Sequence, residues 1–131
     1  MGTKSYAVTR FNPDAPTGSG FWHWVVNIPA HVTELPEGAG SKGGKLPDGA
    51  LQTRTDFGAP GYGGRCPPQG DHPHRYLFTV FAVKVDKLDV TADTSAAVVG
   101  FDLDFNTWAK AKIMGLYKSE NGVFSLSEPE T

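Results

Sequence analysis

Two polar aromatic side chains, His74 and Tyr76, stand at the beginning of an apolar run that continues to Val83. Side chains two residues apart on a β-strand point to the same face. An imidazole and a phenol held side by side at a strand end can together hydrogen-bond the oxygen atoms of a ligand. The same pair could equally bond to nearby backbone groups, and this segment alone does not separate the two interpretations.

Three further polar side chains border predicted loops: Asn12, Asp14 and His23. Asp14 lies in a stiff, proline-flanked turn, where a carboxylate can also serve as a local backbone acceptor. His23 lies between two tryptophans and is alternatively a half-buried strand histidine. If the strand ends adjoin, two imidazoles, a phenol and the loop amides around Gly63 and Gly64 form a small pocket suited to phosphate or another oxyanion.

Other chemistries fit the sequence less well. Zinc would need ligands from His23, Cys66, His72 and His74, whose spacing matches no common zinc motif. Ser19 lies between two glycines but lacks the Gly-x-Ser-x-Gly pattern of a nucleophile elbow. No glycine-rich loop leads from a strand into a helix, as nucleotide sites require. We therefore expect no metal, no cofactor and no enzymatic activity.

Strands must hold these residues in place. Alternating side chains predict strands over residues 5–12, 21–28 and 74–85, and the last is apolar on both faces, as in a central strand. In the second strand, simple alternation places His23 on the face opposite to Trp24. A long connection, residues 30–73, separates the second strand from the third, with an extended stretch only at 49–55.

The region after the third strand predicts one helix. Residues 95–109 follow a cap at Asp93 or Thr94, and apolar residues recur at helical spacing at Val98, Phe101, Phe105 and Trp108. A final strand is predicted at 112–118, followed by a polar, loose C-terminal tail at 119–131. The sequence thus favours a mainly β fold with one domain, residues 1–118, and no βαβ repeat.

Composition excludes several classes of partner. A formal charge of −2 provides no basic patch for nucleic acid. No apolar run is long enough for a membrane span, so we expect no integral membrane association. The first residues lack the apolar core of a signal peptide, and Cys66 is the one cysteine of the chain. Both features favour a cytoplasmic protein.

The sequence resembles the phosphatidylethanolamine-binding protein (PEBP) family, in its bacterial Raf-kinase-inhibitor-like branch. Four ordered blocks carry the resemblance: Asn12-Pro-Asp-Ala-Pro16, residues 21–29, residues 52–58, and residues 62–70 leading into His74-Arg-Tyr76. The resemblance implies a PEBP-like β-sandwich with one or two peripheral helices near the C-terminus. It also implies an anion pocket at one end of the large sheet, formed by Asn12, Asp14, His23, Gly64, Cys66, Pro67, His74 and Tyr76.

Two departures from the family pattern affect these expectations. The family motif usually opens with Asp, so Asn12 removes a negative charge and should ease anion binding. Family members also carry some forty residues ahead of the position of Met1. Without them, apolar surface and sheet edges would be uncovered, which predicts a homodimer or larger assembly.

Two functions follow as hypotheses. The first is a non-enzymatic binding module for phosphate-bearing small ligands or phospholipid head groups. The alternative is a protein-interaction regulator that inhibits a kinase or protease through the long 30–73 loop. Replacing His74 by Ala should abolish binding in the first case and be tolerated in the second.

Overall fold

The chain folds around one antiparallel sheet. A computed structural model describes residues 2–35, 39–40, 44–63, 74–120 and 123–127. Six strands in these ranges form the sheet in the order β3-β2-β1-β4-β5-β6, with all neighbours antiparallel. In chain order the elements are β1 (Ser5–Asn12), β2 (Phe21–Pro29), β3 (Leu51–Gln52), β4 (His74–Val83), α1 (Ala96–Asn106), β5 (Thr107–Glu120) and β6 (Val123–Ser127). The mainly β class and the peripheral helix near the C-terminus are confirmed.

Each face of the sheet carries its own apolar cluster. On the side that we call the helix face, strand residues pack with α1 and the segment before it; the buried members are Ala7, Val25, Val83, Leu88, Ala96, Val99 and Leu103. On the opposite side, the loop face, parts of the long 30–73 connection cover a second cluster of Trp24, Val26 and Ile28. The sheet is therefore a middle layer between a helix and a long loop.

The pairing of β1 with β2 contains a bulge. Arg10 pairs with Trp24 and Phe11 pairs with Trp22, so His23 is the extra residue. A bulge interrupts the alternation of side chains, because two residues of one strand oppose one residue of the other. Trp22 consequently packs with the helix-face cluster, whereas Trp24 belongs to the loop-face cluster. Simple alternation, which predicted His23 on the face opposite to Trp24, is wrong here.

Helix α1 is shorter than predicted, and the side that it packs against the sheet is not the predicted one. Ser95, rather than Asp93 or Thr94, is the N-cap, and its hydroxyl accepts a hydrogen bond from the amide of Val98. The buried stripe is Ala96, Val99 and Leu103. The expected core stripe is exposed instead: Val98 53%, Phe101 67%, Phe105 65% and Trp108 41%. Both stripes have helical spacing, so periodicity alone could not choose between them.

Strands β4 and β5 differ from expectation at their ends. β4 stops at Val83 and is central in the strand order, although Val80 is 44% exposed. β5 begins directly after α1 and runs to Glu120. β6 then pairs with β5, in a segment where the sequence analysis expects a loose tail. Backbone pairing to the edge of β5 explains this strand, and β-propensity alone does not.

Within the described ranges, no helix is both long enough and apolar enough to cross a membrane.

Candidate functional site

A cavity of about 280 Å³ lies on the loop face, where the ends of β1, β2 and β4 meet. Four residues predicted for the anion pocket line it: Asn12, His23, His74 and Tyr76. All four are buried. The remaining lining residues in the described part of the chain are Ala15, Pro16, Thr17, Phe21 and Phe57. The structure thus brings together side chains from three strands and from the turn after β1.

A larger groove of about 730 Å³ lies on the helix face, between α1 and the sheet. Its charged lining residues, Asp56, Asp104, Lys110 and Lys112, are all exposed. Exposed charges are solvated and give little preorganisation to a site. The smaller cavity, whose polar groups are buried and converge, is therefore the better candidate.

Asn12 and His74 form a buried pair at the base of the cavity. Asn12 Nδ2 lies 3.0 Å from His74 Nδ1. On its other side, Asn12 Oδ1 accepts a hydrogen bond from the backbone N–H of Asp14 at 2.9 Å. The turn after β1 therefore orients the amide, and the amide in turn orients the imidazole. The imidazole of His74 and the amide of Asn12 are thus held in place by the chain itself, which would reduce the entropy lost when a ligand binds.

His23 enters the cavity because of the bulge in β2. Its ring centroid lies 5.3 Å from that of Tyr76, in an edge-to-face arrangement. It also lies 5.3 Å from the Phe57 ring and 5.0 Å from the Phe21 ring. In a regular strand without the bulge, alternation from Trp24 would turn the imidazole toward the helix face. The bulge is thus the local feature that brings His23 to Tyr76.

Arg10 supplies a positive charge next to the cavity, although it was not among the predicted site residues. The side chain is fully buried, and its guanidinium carbon lies 4.6 Å from the centre of the Tyr76 ring and 5.1 Å from that of Tyr62. Nη1 donates to Tyr62 Oη at 2.7 Å and to the carbonyl of Gly63 at 3.0 Å. A buried cation behind a cavity wall makes the local potential positive. An arginine within an apolar strand pattern was the available signal.

Asp14 does not turn its carboxylate into the cavity. Oδ2 accepts from the backbone N–H of Arg75 at 2.7 Å and from Nε at 2.9 Å, and Oδ1 accepts from Nη2 at 2.9 Å. These side-chain hydrogen bonds from Arg75 hold the pKa of Asp14 below its usual range, and the pKa of Arg75 is raised correspondingly. The expected direct role of Asp14 in the pocket is replaced by two others. It ties the turn after β1 to β4, and its backbone orients Asn12.

Part of the predicted pocket lies outside the described residues, namely Gly64, Cys66 and Pro67. The amide of Gly63, which was expected to face a ligand, donates instead to the carbonyl of His23 at 2.8 Å. His72, a candidate zinc ligand, is also outside the described residues. Among the residues that are described, no three His, Cys, Asp or Glu side chains come together as a metal site would require.

Two aromatic residues of the cavity wall were not among the predicted site residues. Phe21 and Phe57 pack edge to face with centroids 4.8 Å apart, and both line the cavity. Phe57 is nevertheless 54% exposed, so its ring forms the outer lip. Gly63 lies so close behind it that an added Cβ would come within 1.9 Å of a Phe57 ring atom. A loop phenylalanine has no sequence signal for this role, because its partners come from distant positions.

The amino-acid sequence matches a known protein family. Residues 1–118 match the family described as phosphatidylethanolamine-binding protein. The chain is 57% identical over 119 residues to the UPF0098 protein YbcL of Escherichia coli K12, covering 89% of this chain and 65% of YbcL. It is 53% identical over 117 residues to YbhB of the same organism, covering 88% of this chain and 73% of YbhB. The chain thus spans about two thirds of YbcL and a little more of YbhB.

Solved structures support the same conclusion. The crystal structure of Escherichia coli YbcL, described as a new member of the mammalian PEBP family, superimposes with a TM-score of 0.86 at 55% identity, covering 90% of this chain and 73% of that one. A PEBP homologue from Chlamydia trachomatis gives a TM-score of 0.71 at 27% identity, covering 90% and 74%. Sequence blocks, sheet and relatives therefore agree: the chain belongs to the phosphatidylethanolamine-binding protein family.

Proposed function

We propose that this protein is a non-enzymatic binding module that takes phosphate-bearing small ligands or phospholipid head groups in the cavity of Asn12, His23, His74 and Tyr76. One observation carries the proposal. Buried imidazole, amide and phenol groups line the cavity, and the buried cation of Arg10 lies directly behind Tyr76. Hydrogen-bond donors backed by a positive charge favour an anion.

The balance of charge supports an anion rather than a cation. The described lining of the cavity contains no carboxylate. Asp14, a neighbouring acid, is paired with Arg75. An incoming phosphate would therefore meet little repulsion from this part of the chain.

The size of the cavity favours a head group over a large ligand. A volume of about 280 Å³ is at the lower limit of typical small-molecule sites. The aromatic rings of Phe21 and Phe57 give the outer part an apolar wall. A phosphate could bind at the polar base while an attached carbon chain contacts these rings.

Binding without catalysis is part of the proposal. Acyl or phosphoryl transfer to the protein needs an activated nucleophile next to a base. In the described lining, the one aliphatic hydroxyl is that of Thr17, which donates to the carbonyl of Gly20 at 2.6 Å. Its geometry supports a structural role in the turn.

The test is a titration of inorganic phosphate and of phosphorylethanolamine into ¹⁵N-labelled protein, followed by amide chemical shifts. We expect shifts clustered at Asn12, His23 and Tyr76, and their loss in His74→Ala. His31→Ala, which removes an exposed histidine, is the matched control and should retain them. No shifts at millimolar ligand in the unchanged protein would overturn the proposal.

A protein-interaction role for the 30–73 loop is the second candidate. The exposed ring of Phe57 favours it, since a large apolar side chain on a loop is a common anchor in interfaces. This function predicts that Phe57→Ala weakens binding to a kinase or protease partner while His74→Ala does not. The opposite pattern supports the small-ligand module.

We further propose that the protein self-associates through the exposed stripe of α1, formed by Val98, Phe101 and Phe105. Phe101 and Phe105 pack against each other with ring centroids 5.0 Å apart and remain about two-thirds exposed. Light scattering at micromolar concentration should show a dimer or larger assembly that Phe101→Ser shifts toward monomer. A monomer in the unchanged protein would contradict this.

The cytoplasmic location expected from the single cysteine, Cys66, belongs to the same proposal. Cell fractionation tests it, and recovery of the protein in an extracytoplasmic fraction would contradict it.

A further inference from the structure

The orientation of the Asn12 amide is fixed by the chain itself. The backbone N–H of Asp14 lies 2.9 Å from one end of the Asn12 side chain. A backbone N–H can only donate, so the atom that it meets must be the carbonyl oxygen, Oδ1. The assignment of the amide oxygen and nitrogen therefore follows from the hydrogen-bond network.

The orientation of the Asn12 amide also decides the role of His74. With Oδ1 directed at Asp14, the Nδ2 group of Asn12 faces His74 Nδ1 at 3.0 Å in a buried contact. An amide NH₂ can only donate, so Nδ1 must accept, and a proton on Nδ1 would set two donors against each other. We infer that Asn12 is a positioning residue that holds His74 in the tautomer protonated at Nε2, which presents a neutral imidazole N–H donor to the ligand of the proposed function.

The other charged and titratable groups around His74 are compatible with this role. On β4, Tyr76 is two residues away, and His23 of β2 contacts the ring of Tyr76. Arg10 of β1 lies behind the same ring and supplies the positive charge for an anion. The carboxylate of Asp14 is held by Arg75. A ligand anion can therefore be stabilised by Arg10 while His74 acts as a directional donor.

A carboxylate at position 12 would reverse the arrangement. Asp has the same shape as Asn, but both of its oxygens accept. One oxygen could keep the hydrogen bond from the Asp14 amide, and the other would attract a proton to His74 Nδ1. The variant Asn12→Asp is thus a near-isosteric change that switches the hydrogen-bonding role of His74 and adds a negative charge to the cavity.

Long-range ¹H–¹⁵N correlation spectra of the imidazoles test the inference without any ligand. In the unchanged protein, with His74 assigned by His74→Gln, we expect Nε2 to show the shift of a protonated nitrogen and Nδ1 that of an unprotonated one. In Asn12→Asp, Nδ1 should become protonated. In Asn12→Ala, which removes the donor, the two nitrogens should show averaged shifts.

Two results would overturn the inference. One is a protonated Nδ1 in the unchanged protein, a measurement that needs no variant to fold. The other is an unaltered His74 tautomer in both Asn12→Asp and Asn12→Ala, which would show that another group sets it.

Phosphate titration separates this inference from the proposed function. We expect Asn12→Asp to bind inorganic phosphate about tenfold more weakly, because a like charge then lies next to the ligand. If the tautomer is as described but phosphate does not bind to any variant, the proposed function fails and the role of Asn12 stands. If phosphate binds but Nδ1 carries the proton, the role of Asn12 fails alone.

Discussion

The two faces of the sheet use buried polar groups in different ways. On the helix face, Asn27 donates to the carbonyl of Tyr6 at 2.9 Å and accepts from the amide of Leu88 at 2.9 Å. These bonds join β2 to the backbone of β1 and to that of the segment before α1. On the loop face, Asn12 bonds to the imidazole of His74, which lines a cavity. One asparagine connects backbone segments of the scaffold, and the other contacts a side chain that lines the cavity.

The two faces also differ in where their charged side chains lie. On the helix face, the charged residues of the groove are exposed. The loop face buries Arg10 completely, between aromatic rings. Burying a cation is costly unless it is hydrogen-bonded, and Nη1 of Arg10 donates to Tyr62 Oη and to the carbonyl of Gly63. Both faces thus have a buried apolar cluster, whereas the fully buried cation and the cavity lined by buried polar groups lie on the loop face.

The largest effect should come from the buried stripe of α1. Leu103→Ala removes a side chain that is 1% exposed, and we expect it to lower the free energy of unfolding by about 3 kcal/mol. Asp104→Ala, at an exposed position of the same helix outside the apolar stripe, should change it by less than about 0.5 kcal/mol. Urea unfolding measures both. Equal losses in the two variants would contradict the burial of Leu103 as the source of the effect.

Replacing the buried cation should affect both stability and binding. Arg10→Met keeps much of the volume but leaves Tyr62 Oη and the carbonyl of Gly63 without this donor. We expect a loss of about 2 kcal/mol in unfolding free energy and markedly weaker phosphate binding. Lys112→Met removes an exposed cation on the helix face and should leave affinity unchanged. If both variants lose affinity equally, net charge and not the position of Arg10 controls binding.

A smaller effect should follow from filling the space behind Phe57. In Gly63→Ala, the new methyl group would overlap the Phe57 ring and displace the lip of the cavity. We expect about 1 kcal/mol of destabilisation and weaker ligand binding. Gly18→Ala, where nothing lies within 4 Å of an added Cβ, is the matched control. Unchanged affinity in Gly63→Ala would show that Phe57 has no part in recognition.

The smallest effect should be that of the ion pair of Asp14 and Arg75. The pKa of Asp14 is lowered in the folded state, so the folded protein holds its proton less tightly than the unfolded chain. Its stabilisation is therefore complete above the ordinary carboxyl pKa near 4 and is lost as pH falls further. Thermal unfolding from pH 7 to 3 should show the difference between the unchanged protein and Asp14→Asn shrinking below about pH 4. A difference that grows toward low pH would contradict this sign.

Much of the fold could be predicted from local pattern. β1 is bounded by Asn12-Pro13 and matches the predicted residues, and His74 begins β4 as expected. The helix was predicted in the right part of the chain but with the wrong side buried, because Val99 and Leu103 repeat with the same period as Phe101 and Phe105. Only contact with the sheet decides which stripe is buried, and local sequence does not contain that information.

Four of the predicted site residues lie together in the structure, but the contacts that orient them could not be predicted from the sequence. Asn12, His23, His74 and Tyr76 do converge, yet the face of His23 depends on the strand register, which alternation cannot show. Arg10 and Phe57 reach the cavity through tertiary contacts from distant positions. Asp14 was expected to bind the ligand, but its carboxylate pairs with Arg75. Arg75 is an exposed residue next to His74, and nothing in its sequence position indicated this contact.

The bulge opposite Arg10 and Phe11 also has a consequence for protein engineering. The bulge shifts the alternation of side chains in β2 by one residue. Odd-numbered residues face the loop side before the bulge, and even-numbered residues face it after the bulge. Deleting His23 would therefore leave Phe21 and Trp22 on their present faces but would remove the residue that the bulge places in the cavity. A designer who grafts this cavity onto another sheet must therefore transplant the irregularity together with the side chains, because regular strands cannot reproduce it.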